Sequence, residues 1–459
     1  MTTHQFHPSI LREYDIRGVV GDTLGTSDVK AIGRAFGTLV RREGGSSVCA
    51  GRDGRMSSPE LHAALCDGLQ ASGVDVISIG LGPTPMLYYA VNELNADGGI
   101  MVTGSHNPPD HNGFKMMMGK GAFYSDDIQE LGALAGSGDF AEGKGSFCEE
   151  ALQATYVERL LRDYSAGDCS IAWDAGNGAL GSVLQDVCAR LPGRHDVLYG
   201  DIDGTFPNHH PDPTDPETLH DLRAHVLEHG LDMGIAFDGD GDRIGAIDGE
   251  GNIVWGDQIL ALLATELLKE VPGATIIADV KASQALFDVI TEQGGSPLMW
   301  RTGHSLIKTK MAETGSPLAG EMSGHIFFKH NYYGFDDALY AALKLVEAVG
   351  RSGKSLAELR AALPQMINTP ELRFDCPGDR KFVVPSEVKE RLSATDCDVN
   401  DVDGVRVTND DGWWLLRASN TQDVLVARCE AHDEAGLARL KTTLVEQLSL
   451  SGLSAPVGL

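Results

Sequence analysis

The sequence predicts an α/β protein of four domains, in which three similar mixed α/β sheet units are followed by a smaller α+β domain. Three observations carry that prediction. At 459 residues the chain is too long for one hydrophobic core and divides naturally into units of about 100–150 residues. A pattern of strand, loop and helix starts near Val48 and restarts near Ser170 and Thr275. After Thr369 that alternation stops.

From Val48 a strand leads into the loop Gly51-Arg-Asp-Gly-Arg55, a helix opened by Ser58 and Pro59, and the β-branched run Val74-Asp-Val-Ile-Ser-Ile79, which together read as a βαβ unit. A second helix carries Leu87, Val91 and Leu94. The apolar run Gly99-Ile-Met-Val-Thr103 then reads as a buried strand that delivers Gly104-Ser105 to a loop. The strands Ser170-Ile-Ala-Trp-Asp174 and Thr275-Ile-Ile-Ala-Asp279 each end in an aspartate before a loop and a helix. In sheets of this kind ligands gather beyond the carboxyl ends of strands, so these loops are where chemistry is expected. In the last part a hairpin turns at Asn409-Asp-Asp-Gly412, a strand runs from Val424 to Arg428, and a helix presents Leu437, Leu440 and Leu444. The expected divisions are 1–150, 151–252, 253–368 and 369–459.

Composition narrows the function. With 37 basic against 66 acidic side chains the net charge is −29, which opposes a general grip on nucleic acid or an anionic membrane. An anionic substrate therefore has to meet local positive charge. The 55 glycines exceed the usual share of about 7% and point to many tight, backbone-lined loops. Eight scattered cysteines without a C-x-x-C pair fit neither a zinc ribbon nor a disulfide framework. The N-terminus has neither the basic start nor the apolar stretch of a signal peptide, and no run approaches the roughly 18 apolar residues of a membrane span, so a cytoplasmic protein is expected.

Asp238-Gly-Asp-Gly-Asp-Arg243 follows the apolar strand Met233-Gly-Ile-Ala-Phe237, and its glycines let a tight turn aim three carboxylates at one point. Three hard oxygen donors suit Mg²⁺. An EF-hand would need Gly sixth and Glu twelfth, where Arg243 and Gly249 stand. An acidic surface turn is the plainer alternative, but three crowded aspartates repel unless a cation lies between them. Thr103-Gly-Ser-His-Asn-Pro108 could expose a serine hydroxyl for phosphoryl transfer, although alone its composition is that of an ordinary turn. Arg417-Ala-Ser-Asn-Thr421 suits a phosphate clamp and equally a polar loop with a solvated arginine. Arg17 and Lys115 are further candidate cations. Asp201-Ile-Asp-Gly-Thr205 has the look of an aspartyl-phosphate phosphatase, with Asp201 as nucleophile. Gly353-Lys-Ser355 is no P-loop, because Ala348 replaces the leading Gly and a helix, not a strand, precedes it.

Taken together, Thr103-Gly-Ser-His-Asn-Pro108, Asp238-Gly-Asp-Gly-Asp-Arg243, Gly320-Glu-Met-Ser-Gly-His325 and Arg417-Ala-Ser-Asn-Thr421 resemble, in order, the motifs of the α-D-phosphohexomutase superfamily, and most closely its bacterial phosphomannomutase/phosphoglucomutase branch. Tyr14-Asp-Ile-Arg-Gly18 and Phe206-Pro-Asn-His-His-Pro-Asp-Pro213 support the match, which spans nearly the whole chain. The resemblance implies four domains around a central cleft, the last related to the TATA-binding-protein fold. It makes Ser105 a phosphoserine that, with Asp238, Asp240 and Asp242, holds one Mg²⁺. It gives sugar hydroxyls to Glu321 and Ser323, and the non-reacting phosphate to Arg417, Ser419, Asn420 and Thr421, with Tyr14, Arg17, Lys281, His304 and His325 as further substrate contacts. The chain departs from the pattern at Gln422-Asp423, where Glu-Pro often follows the threonine, and at His111, where Tyr is common. Altered phosphate affinity is expected there.

The activity implied is exchange of phosphate between C1 and C6 of mannose or glucose phosphates through a hexose 1,6-bisphosphate, which also serves as activator. Arg17, Lys115 and Arg243 are expected to offset phosphate charge. Lys115, with its pKa lowered by burial and neighbouring cations, His304 and His106 are the candidate proton carriers. The last domain is expected to move as a lid, and the chain to be a monomer or homodimer. A metal-dependent sugar phosphatase using Asp201 and a silent sugar-phosphate-binding protein are the alternatives.

Overall fold

The computed structural model describes residues 3–376, 378–393, 397–420, 422–456 and 458–459. Among these, hydrogen bonding assembles four sheets, of seven, five, four and six strands. The first runs Ile16–Val19, His111–Met118, Gly98–Val102, Ser47–Arg52, Asp75–Leu81 and Phe147–Glu149, with Gly121–Ala122 paired onto His111–Met118. Its centre is parallel, as the βαβ pattern requires, and Gly98–Val102 is buried along its whole length. The helix between Ser47–Arg52 and Asp75–Leu81, Ser58–Ala71, carries Pro59 in its first turn, where a missing N–H costs nothing.

The second sheet runs Ile253–Val254, Ile244–Asp248, Met233–Phe237, Cys169–Asp174 and Gly193–Leu198. The third runs Ser296–Trp300, Thr275–Asp279, Leu318–Gly320 and Ile326–Phe328. The first three sheets share one feature. In each, a strand of the parallel core turns back into an antiparallel neighbour: Gly98–Val102 into His111–Met118, Met233–Phe237 into Ile244–Asp248, and Leu318–Gly320 into Ile326–Phe328. The loops at these three reversals are 103–110, 238–243 and 321–325.

The fourth sheet is antiparallel, with the expected hairpin between Val405–Asn409 and Gly412–Ala418. Its face is covered by the helix Glu434–Leu450 through Leu437, Leu440 and Leu444. Two short strands cross the expected divisions: Ile253–Val254 pairs into the second sheet and Ile367–Asn368 into the fourth. One apolar core joins the helix Thr84–Glu93 of the first unit to the second and third units. The fourth unit has a core of its own and meets the third through Val280, Trp413 and Leu415. Arg406, stacked 3.7 Å over Trp413, reaches across to the carbonyls of Val280 and Ala282.

Candidate active site

The loop 103–110 is held from beneath by a buried ion pair. Arg55, 1% exposed, donates to the carbonyl oxygens of Ser105, Asn107, Pro108 and His111 at 2.5–3.0 Å, and its Nε lies 3.2 Å from Asp53. Asp53 in turn accepts the N–H of Gly104 at 3.0 Å. A Cβ on Gly104 would collide with the Arg55 guanidinium, so glycine is needed there. So held, Ser105 keeps a φ of 49°, a left-handed conformation that costs a non-glycine residue about 1–3 kcal/mol. Its Oγ donates to Asp238 at 2.8 Å and lies 3.1 Å from Nδ1 of His106.

The loop 238–243 meets this one face to face, and a Cβ on Gly239 would strike the Ser105 carbonyl oxygen. Asp238, Asp240 and Asp242 are fully buried, with donor oxygens within 4.8 Å of one another. One oxygen each of Asp240 and Asp242 is buried without a hydrogen-bond partner. Burial and the crowding of Asp240 and Asp242 push the Asp238 carboxyl well above the usual range. Hard, crowded and incompletely satisfied oxygens of this kind fit a small divalent cation.

Lys115 comes from the antiparallel strand that follows the serine loop and pairs with Asp240 at 2.7 Å and with Asp242. The expected lowering of its amine is not found. Burial pulls the pKa down, but Asp240 and Asp242 outweigh burial and hold it above its ordinary value. Arg17 bonds Asp15 at 2.5 Å, the Gly104 carbonyl at 3.1 Å and Asn107 at 2.7 Å.

In the third loop, Glu321 accepts the N–H of Gly303 at 2.6 Å and the Ser323 hydroxyl at 3.1 Å, which fixes both oxygens while leaving lone pairs for a ligand. A backbone bridge joins Arg243 to His325, so the second and third loops are tied, and Arg243 Nε donates to His325 Nε2 at 3.0 Å. Burial, with Lys308 adding to it, holds His304 well below its ordinary pKa, and burial with Arg243 and Arg17 does the same to His106.

From the fourth unit, Arg417 pairs with Asp403 at 2.9 Å, and Asn420 donates to the Tyr14 hydroxyl at 2.5 Å. Tyr14 donates in turn to the Thr302 carbonyl at 2.8 Å. Ser419 accepts the N–H of Gln422 at 3.2 Å. Lys281 reaches from the third unit to Glu371 at 3.0 Å. Thr421 lies outside the described residues. A cleft of about 840 Å³ is lined by all four units, with Arg17, Lys115, Arg243, Lys281, Arg417 and Arg428 among its cations. The positive charge that an acidic chain needs for an anionic ligand is therefore concentrated here.

Asp201 is exposed and does not line the cleft, while Asp203 beside it accepts from Thr205 within its own turn. Sequence reasoning missed Arg55, Asp53, Arg12, Glu371, Arg373 and Arg428. Only the first two carried a signal, lying in a loop at the carboxyl end of a parallel strand.

Sequence models of phosphoglucomutase/phosphomannomutase alpha/beta/alpha domains I, II and III match residues 8–141, 154–251 and 255–367, and that of the C-terminal domain matches 371–447. The chain belongs to this phosphohexomutase family. It is 44% identical to the phosphomannomutase/phosphoglucomutase of Pseudomonas aeruginosa, over 98% of this chain and 97% of that one. It is 42% identical to a phosphoglucomutase of Neisseria gonorrhoeae, over 94% and 95% of the two chains. A crystal structure of a phosphoglucomutase/phosphomannomutase family protein from Burkholderia thailandensis superposes with a TM-score of 0.93 at 43% identity, covering 99% of this chain and all of that one. The phosphohexomutase fold thus accounts for 99% of the chain. Among the described residues no helix is long and apolar enough to cross a membrane.

Proposed function

We propose that this phosphohexomutase interconverts the 1- and 6-phosphates of mannose and glucose by passing a phosphoryl group between Ser105 and the sugar, with hexose 1,6-bisphosphate as intermediate and activator. The observation that carries the reading is the 2.8 Å bond from Ser105 Oγ to Asp238, which puts a nucleophile against the carboxylate cluster. In the forward step the phosphoserine P–O bond breaks as the free sugar hydroxyl bonds to phosphorus, leaving the Ser105 oxygen to be reprotonated. The bisphosphate then turns over and returns its other phosphate.

A phosphoserine carries about −1.5 to −2 charge, so a second phosphate needs cations around it, and Arg17, Lys115 and Arg243 supply them. Lys115, held charged by its carboxylate partners, serves as counter-ion more readily than as base. Asp238, Asp240 and Asp242, with the phosphorylated Ser105, would hold Mg²⁺, which when bound would supply electrostatic stabilisation of the transferring group. His106, within 3.1 Å of Oγ and held neutral by burial with Arg243 and Arg17, can take the Ser105 proton as the serine attacks the bisphosphate and give that same proton back when the phosphoserine bond next breaks. His304, neutral at ordinary pH, can take one from the sugar side. Glu321 and Ser323 receive sugar hydroxyls, helped by His325. Arg417, Ser419, Asn420 and Thr421, with Tyr14 and Lys281, hold the phosphate that does not react, and the fourth domain moves as a lid. Eight free cysteines support a cytoplasmic setting.

A coupled assay with mannose 1-phosphate and glucose 1-phosphate, Mg²⁺ and catalytic glucose 1,6-bisphosphate tests this. Ser105→Ala is expected to lose at least about 10³-fold in kcat/KM, whereas Asp201→Asn stays within about twofold. Release of free phosphate that depends on Asp201 would overturn it.

A further inference from the structure

The stretch Gly334-Phe-Asp-Asp337 places two adjacent buried carboxylates before the helix Ala338–Ser352. They face different surroundings. Asp337 caps the helix by accepting the N–H of Tyr340 at 3.0 Å, and its other oxygen accepts the hydroxyls of Tyr156 and Tyr332 at 2.7 and 2.6 Å. Asp336 turns toward the cleft. One oxygen takes the Lys308 amine at 3.0 Å, and the other lies 3.0 Å from Nδ1 of His325 and 3.8 Å from Nδ1 of His304. The two imidazoles stack at 5.5 Å and both line the cleft.

The tautomer of His325 follows from its neighbours. A neutral imidazole has one donor and one acceptor nitrogen. Nε2 accepts from Arg243, so the proton sits on Nδ1, which lies at ion-pair distance from Asp336, 3.0 Å, and Asp242, 3.6 Å, without an aligned hydrogen bond to either. The same bond argues against a second metal on Asp242, His325 and Asp336, though their donor atoms cluster within 4.8 Å. Such a metal would need the Nδ1 lone pair while Arg243 already occupies the other.

We propose that Asp336 is a positioning residue of the mutase: it fixes His325 as the Nδ1–H tautomer and, through that ring, fixes the Arg243 guanidinium at the phosphate site. This rests on the mutase reading of the cleft. Asp336 itself is not among the residues that line the cleft. Lys308, which also packs 4.5 Å from the centre of the Tyr88 ring, supplies the counter-charge that lets a carboxylate sit there fully buried.

Ring ¹⁵N NMR of histidine-labelled wild type, with His325→Asn for assignment, tests the tautomer without asking any Asp336 variant to fold. A proton on Nδ1 with Nε2 bare and accepting is expected; a proton on Nε2 overturns the proposal. Kinetics of the Mg²⁺-loaded enzyme supply the second arm. Asp336→Asn is expected to lower kcat about 10- to 100-fold with KM within about threefold and to blur the His325 tautomer. Asp337→Asn is expected to melt earlier while keeping kcat within about twofold. Equal losses in the two variants, or an unchanged Asp336→Asn, overturn the role of Asp336. An inactive wild type would sink the mutase reading instead, whereas an active wild type with the wrong tautomer sinks only this inference.

Discussion

The loop that carries Ser105 and the loop that carries the three aspartates occupy equivalent places in two similar sheets, yet they balance charge in opposite ways. The serine loop turns its carbonyls inward onto Arg55, a cation the chain supplies and encloses. The aspartate loop gathers three buried carboxylates, with Lys115 on one side only and two oxygens left without a bond. One loop is finished by the protein, and the other is left open to a cation. Shape is therefore fixed at the loop that aims the Ser105 hydroxyl, and charge is left unbalanced at the loop that could hold a cation.

The contrast can be broken most severely at Asp240. Asp240→Asn is expected to weaken Mg²⁺ binding on the order of 10- to 100-fold by calorimetry, with little change in the apo melting temperature. A large loss of stability with unaltered affinity would mean that this carboxylate belongs to the scaffold. Arg55→Lys comes next. A single ammonium cannot span four carbonyls, so kcat is expected to fall about 10-fold and the protein to lose about 1–3 kcal/mol in a urea titration, with Mg²⁺ affinity unchanged. An effect on metal binding alone would merge the two loops into one device.

The smallest effect concerns Glu371, where charge is balanced between the third and fourth units. Burial raises its carboxyl, but Lys281 and Arg373 outweigh burial and bring it from 4.5 down to about 2. The folded value lies below the unfolded one, so this pair stabilises fully above about pH 4.5 and is lost as pH falls toward 2. Glu371→Gln is expected to flatten that part of the stability curve by about 1–3 kcal/mol and to leave its neutral-pH shape alone. An unchanged acid limb would show that the pair contributes nothing.

The repeating units were legible because each buried strand announces itself as an apolar run ending at a loop, as Gly99-Ile-Met-Val-Thr103 and Met233-Gly-Ile-Ala-Phe237 do. The aspartate loop was legible as a candidate cation site because three like charges in one six-residue motif need a cause. Arg55 was not, since its role depends on four carbonyls 50 to 56 residues away that no local pattern encodes. Lys115 misled for a related reason. Its neighbours in sequence are apolar, and the carboxylates that dominate it lie 125 and 127 residues further on. The short strands Ile253–Val254 and Ile367–Asn368 escaped because two residues carry no periodicity.

Tyr14 has one further consequence. Its hydroxyl donates to Thr302 in the third unit and accepts from Asn420 in the fourth, while the ring belongs to the first. An outward swing of the fourth unit would have to surrender the Asn420 bond together with the 3.0 Å bond from the Thr302 N–H to Asp403. Burial, which raises the phenol to about 12, would relax at the same moment. Tyr14 is thus a built-in gauge of aperture, and its ultraviolet absorbance under alkaline titration would report how often the gap stands open.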